Sequence, residues 1–218
     1  MSSTTPIVFV VDDDVSVRES LDGLIRFEGW RPVMFGSAQE FLAHPRASVP
    51  NCLVLDIGLP DLNGLDLQQR IALERHDTPI IFITGYGDVP MTVRAMKAGA
   101  QEFLMKPFNN DVLLTAIRNA LESSRDALSC EVEMGRLRDC YASLTDRERQ
   151  VMSLVVSGLL NRQVGDELGI TAVTVKAHRG RVMQKMKAHS IADLIRMAGK
   201  LTSHLVPAHS SIRRASRL

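Results

Sequence analysis

Four short apolar runs each end in a polar residue with chemistry to offer. The run 7–11 leads into Asp12, Asp13 and Asp14, and the run 53–55 into Asp56. The run 80–83 is closed by Thr84, and 103–105 by Lys106. In a parallel sheet the carboxyl ends of strands lie along one edge, where open α/β folds place ligands. Carboxylates, a hydroxyl and an ammonium would meet there, a set that suits a hard cation and a phosphoryl group. A single Asp at a strand end is usually a helix cap. Several crowded together repel one another unless a cation sits among them.

The elements needed to position these groups alternate along the chain. Apolar, β-branched runs recur at 7–11, 33–35, 52–55, 80–83 and 102–104. Helical periodicity lies between them. Val17, Leu21, Leu24, Ile25 and Glu28 share one stripe, stopped by Gly29; Leu65, Leu67 and Ile71 follow Gly64; Val93, Met96 and Lys97 precede Gly99. Near-continuous apolar strands imply burial on both faces. The pattern predicts a doubly wound α/β domain with a five-stranded parallel sheet over residues 1–122.

Composition is that of a soluble globular protein, 45% hydrophobic and 23% charged, and no apolar stretch approaches the ~20 residues of a membrane span. Residues 1–6 carry no basic and apolar signal-peptide regions. A cytoplasmic location without membrane attachment is expected. Cys52, Cys130 and Cys140 have no metal-ligand spacing, and Cys52 falls in a core strand. The net charge of +1 hides an asymmetry: residues 1–124 hold 10 Lys+Arg against 16 Asp+Glu, and residues 145–218 hold 13 against 5. An acidic front and a basic back argue for two domains with different partners, the basic one a nucleic-acid candidate.

From residue 110 to about 143 an irregular helical stripe continues, and its part at 123–143 is expected to be a helical linker. Gly135 weakens it by about 1 kcal/mol relative to Ala, a place for a break. An all-α domain opens at 144–206. Thr145 and Glu148 have the spacing of a capping box. Residues 161–168 form a short helix ended by Gly169, and Thr171 can cap the next, from Ala172 to about Met186. Two helices joined by a short Gly-containing turn, the second rich in Lys and Arg, spell a helix-turn-helix. Val175, Val182 and Met186 share its core face, with Lys176, Ala177, Arg179, Gly180 and Met183 directed away. The polar, basic tail 207–218 is expected to be disordered.

These motifs resemble a known pair of domains. Val11-Asp12-Asp13, Asp56 with Pro60 and Gly64, Thr84, and Lys106-Pro107 resemble a bacterial response-regulator receiver domain of flavodoxin-like fold. Leu144-Thr145, Arg147-Glu148, Gly158, Asn161-Arg162, Leu168-Gly169-Ile170 and Thr174-Val175-Lys176 with His178-Arg179 resemble a LuxR-type helix-turn-helix. The order is that of the NarL/FixJ class of two-component response regulators. The segments 85–90 and 93–100 resemble its FixJ subgroup, and the long linker resembles the styrene-degradation regulators within it.

The resemblance implies that Asp56 is the phosphoacceptor, supplied by a sensor histidine kinase. It implies Mg²⁺ or Mn²⁺ held by Asp13, Asp56 and the Gly58 backbone carbonyl, with Asp12 acting mainly through water. Lys106 and Thr84 would contact the phosphoryl oxygens, and Thr84 and Phe103 would form the switch. Phosphorylation would produce a homodimer that binds promoter DNA and regulates transcription, with RNA polymerase a further partner. Lys176 and Ala177 would meet base edges. Gly180 departs from relatives that carry a side chain there. Arg162, Thr171, Thr174, Arg179, Arg181 and Lys185 are phosphate candidates.

Two other classes fit part of the sequence. A Mg²⁺-dependent phosphohydrolase with an aspartyl nucleophile usually carries Asp-x-Asp, and Asp56-Ile57-Gly58 lacks the second Asp. A regulator that binds DNA without phosphorylation would not need the complete acidic site.

Overall fold

Successive residues of the central strands point to opposite cores, which explains why these strands are apolar almost throughout. The computed structural model describes residues 5–75 and 77–203; the predicted tail, 207–218, lies outside the described residues. The first unit carries five strands: β1 (Ile7–Val11), β2 (Arg31–Phe35), β3 (Asn51–Asp56), β4 (Ile80–Thr84) and β5 (Glu102–Met105). They alternate with helices α1 (Val15–Phe27), α2 (Ala38–Ala43), α3 (Gly64–Glu74), α4 (Val89–Lys97) and α5 (Asn110–Ala142). All neighbours pair parallel, in the order β2-β1-β3-β4-β5. Phe9, Leu53, Leu55 and Phe82 pack with Phe41, Leu67 and Ile71 on one face. Val8, Val10, Val54 and Ile81 pack with Leu21, Ile25, Leu113 and Ile117 on the other.

The second unit is helical: α6 (Asp146–Val156), α7 (Asn161–Leu168), α8 (Ala172–Lys185) and α9 (Ile191–Ser203). The capping box is present, with Thr145 and Glu148 bonding each other's backbone N–H groups. Gly169 ends α7 at φ 65°, in the left-handed region that favours glycine. Val151, Met152, Val155, Val164, Val175, Val182 and Leu194 form this unit's core. Among the described residues no helix is long and apolar enough to cross a membrane.

The segment expected as a helical linker, 123–143, is part of α5 as far as Ala142. Helix α5 runs through Gly135 without a break, and the two compact units divide between Cys130 and Glu131. Met134 and Leu137, one helical turn apart, are buried in the second unit's core. That burial offsets the helix cost of one glycine.

Candidate functional site

Strand register brings the four polar ends together. Val11 pairs with Leu55, so Asp12 arrives level with Asp56. Asp56 pairs with Ile83 and Thr84 with Met105, which sets Thr84 and Lys106 at the same edge. The winding of the sheet reverses between β1 and β3, the switch point at which open α/β sheets hold ligands.

Asp12, Asp13 and Asp56 each present a carboxylate oxygen, all within 4.8 Å of one another. Asp12 is fully buried and Asp56 nearly so, while Asp13 is exposed. The Lys106 ammonium donates to Asp12 Oδ2 at 2.6 Å and stands 3.5 Å from Asp56 Oδ1. Burial pushes the Asp56 carboxyl above its ordinary value; the charges of Asp12 and Asp13 add to this and Lys106 opposes it. Burial acts to lower the Lys106 ammonium, but the bond to Asp12 and the charges of Asp12 and Asp56 outweigh it and hold the group above its usual range. The cluster is therefore rich in hard oxygen donors and can hold a divalent cation.

Two glycines lie against Asp56, and one of them must be glycine. A Cβ at Gly64 would stand 2.8 Å from the Asp56 carbonyl oxygen and 2.9 Å from Ile57 Cα, so only glycine lets α3 begin this close to β3. A Cβ at Gly58 would lie 3.4 Å from Asp56 Oδ2, an ordinary contact. Arg18 adds a contact that sequence reasoning missed. Its Nη1 donates to the carbonyl oxygens of Asp12 at 2.6 Å and Asp13 at 3.0 Å, fixing the backbone that carries both carboxylates. Nothing in the sequence separates Arg18 from any other polar position on α1.

The Thr84 hydroxyl accepts from the Tyr86 N–H at 3.2 Å and reaches the Tyr86 carbonyl oxygen at 3.3 Å, so it is bonded to the loop after β4. Phe103 is half-buried, its ring tilted against Phe82 with centroids 6.2 Å apart. Gly87 lies against both: a Cβ there would meet the Phe103 ring at 3.1 Å and the Thr84 methyl at 3.2 Å.

The second candidate surface is α8. Val175, Val182 and Met186 are buried. At 3.6 residues per turn, the opposite line of the helix runs through Val173, Ala177, Gly180 and Gln184, all exposed. Lys176 and Arg181 flank this line, also exposed. Thr171 caps α8 through the Thr174 N–H, and the two threonine hydroxyls are 2.9 Å apart.

Comparison with known proteins assigns a family to each unit. Residues 8–118 match the response regulator receiver domain family, and residues 142–198 the LuxR family of bacterial regulatory proteins. Nodulation protein W of Bradyrhizobium diazoefficiens is 50% identical over 92% of this chain and 88% of its own length. The chain belongs to the response regulators. Transcriptional regulatory protein FixJ of Rhizobium meliloti is 41% identical over 88% of this chain and 94% of its own. The solved structure of response regulator StyR is 46% identical, with a TM-score of 0.80, and the match spans 90% of this chain and all of StyR. The response regulator thus joins a receiver to a LuxR-type DNA-binding domain and acts in transcription. It is not the phosphohydrolase that the acidic cluster alone would allow.

Several side chains of the regulator's helix-turn-helix lie where the sequence did not place them. Arg162, Thr171, Thr174, Lys176, Ala177, Gly180 and Arg181 are exposed, as a contact surface requires. Arg179 is half-buried and donates to Asn161 Oδ1 at 3.0 Å, tying α8 to α7. Met183, expected to point outward, packs on the core: an unbranched side chain on the flank of a helix folds back over the buried face. Lys185, expected near phosphate, is engaged internally. Its Nζ donates to Glu148 Oε2 at 2.6 Å and to the Ser143 carbonyl oxygen at 3.1 Å. Val173 was missed altogether. The signal was available in the helical angle, since it stands opposite the Val175 line.

Proposed function

We propose that Asp56 accepts a phosphoryl group from the phosphohistidine of a sensor histidine kinase, and that this controls dimerisation and binding to promoter DNA. The observation that carries the reading is the cluster of Asp12, Asp13 and Asp56 oxygens within 4.8 Å, with the Lys106 ammonium against two of these residues. A carboxylate oxygen of Asp56 attacks phosphorus; the P–N bond breaks and its electron pair returns to the imidazole. Lys106 neutralises a phosphoryl oxygen. Mg²⁺ or Mn²⁺ fits the donor set, held by Asp13, Asp56 and the Gly58 carbonyl with Asp12 behind them, and when bound it supplies charge neutralisation to the transferred group. The Thr84 hydroxyl leaves Tyr86 for the phosphoryl group, and Phe103 takes up the space beside it, two packings biased by one new charge.

Dimerisation is proposed at the face of α4, β5 and α5. Val89, Val93, Met96, Met105 and Val112 are all exposed on these elements, apolar side chains that a second copy would cover. Phosphorylation is expected to shift the full chain from monomer toward dimer in sedimentation velocity. An unchanged mass distribution at stoichiometric phosphorylation would remove this part of the proposal. The regulator is proposed to act in the cytoplasm, with RNA polymerase as a further partner at the promoter.

On DNA, Lys176 is proposed to donate to a guanine edge from the flank of α8, and Arg181 to contact a phosphate. Lys176→Ala should then cost about 1–3 kcal/mol on the specific site and much less on scrambled duplex. Arg181→Ala should weaken both about equally and reduce the salt slope by about 1. Titrations of both variants against specific and scrambled duplexes at several salt concentrations test this. Equal loss on both duplexes for Lys176→Ala would reassign it to the backbone.

A further inference from the structure

Val173 is 78% exposed, a β-branched residue in the first turn of a helix where Ala would serve the backbone better. Among the described residues, no part of the second unit covers it. It stands about 160° around α8 from the buried Val175–Val182–Met186 line. Beyond it on the same outward line come Ala177 and then Gly180, where a built Cβ meets nothing within 4 Å. From Val173 to Gly180 the centre of the outward face is therefore low and apolar, and Val173 is its tallest group, with Gln184 following toward the carboxyl end. Polar groups border it on both flanks: Lys176 on one side, Arg181 and the Thr171 and Thr174 hydroxyls on the other.

In a helix-turn-helix the amino-terminal residues of the second helix reach base edges. With Lys176 on one flank able to reach a base edge and Arg181, Thr171 and Thr174 on the other suited to phosphates, the line through Val173 and Ala177 meets the floor of the major groove. The apolar group displayed there is the thymine methyl. We infer that Val173 is a specificity-determining residue of the DNA-binding domain, selecting a thymine in each half-site by contact with the C5-methyl group. The inference rests on the proposal that α8 reads promoter DNA, and extends it to a residue and a base.

The test uses the full chain, phosphorylated with acetyl phosphate, and a duplex enriched by it from a randomised pool. Each thymine of that duplex is replaced singly by deoxyuridine, which removes only the methyl group. One thymine per half-site should show wild-type affinity falling about fourfold on replacement, the value of one buried methyl group. Val173→Ala should bind the thymine duplex more weakly by a similar factor and no longer distinguish thymine from uracil at that position. Val173→Thr, which keeps the side-chain shape, should retain part of the discrimination. If Val173→Ala keeps every wild-type thymine-to-uracil ratio, the inference is wrong, while Lys176→Ala can still show specificity loss and leave the broader reading intact. If the pool yields no shared sequence, that reading fails and the inference with it.

Discussion

Asp56→Asn is expected to reduce phosphoryl labelling to background, with either a phosphorylated kinase or radiolabelled acetyl phosphate as donor. The amide has nearly the shape of the carboxylate but not its negative charge, and it cannot hold phosphorus as an acyl phosphate. The loss should not come from unfolding. Burial and the neighbouring Asp12 and Asp13 hold the Asp56 carboxyl above its ordinary value, so its ionised form opposes folding near neutral pH. A neutral amide relieves that repulsion. In the presence of a chelator, the variant should unfold at a denaturant concentration no lower than the wild type. Persistence of acid-labile, hydroxylamine-sensitive label on the variant would show that another residue accepts the phosphoryl group.

This site was legible in sequence because each strand ends in its functional group, and parallel register aligns strand ends without further information. Asp12, Asp56, Thr84 and Lys106 needed only the period and length of the apolar runs. What surrounds them was not legible. Arg18 acts through backbone carbonyls, which leave no mark on residue type. The contact of Gly87 with Thr84 and Phe103 depends on how one loop folds over β4. Helix α2 is six residues long, too short to show a stripe beyond Ala38 and Phe41. In the second unit the capping box and the turn could be read from Thr145, Glu148, Gly169 and Thr171, because caps are local chemistry. The long helix could be read as well, from the stripe over 110 to about 143, and α5 spans Asn110–Ala142. That its later turns join the second unit's core could not, because the burial of Met134 and Leu137 is tertiary. Lys185 shows the same limit, since a basic residue near the end of a basic helix has one sequence signature whether it meets phosphate or a buried carboxylate.

That ambiguity gives the last prediction. Lys185→Met is expected to destabilise the second unit by about 3 kcal/mol, the lower end of the range for stranding one member of a buried ion pair. Glu148 is 3% exposed and cannot recover hydration in place, whereas Lys185 is about one third exposed and its loss is partly relieved by water. The carboxyl of Glu148 is pulled down to about 2, first by the Lys185 hydrogen bond and then by the Thr145 N–H. A depressed carboxyl stabilises the fold above its unfolded value, 4.5 for this group, and loses that contribution as pH falls toward 2. The wild type should therefore lose stability across that window. Lys185→Met, already lacking the pair, should lose less. Trp30, the single tryptophan, lies in the first unit, so its fluorescence should follow an unchanged transition while the helical circular dichroism signal shows the earlier one. A phosphate contact would give the opposite pattern, with unchanged unfolding and a salt slope of DNA binding lower by about 1. The 2.6 Å contact with Glu148 directs the expectation to stability. Finding the slope changed and the unfolding curve unchanged would return Lys185 to the DNA surface.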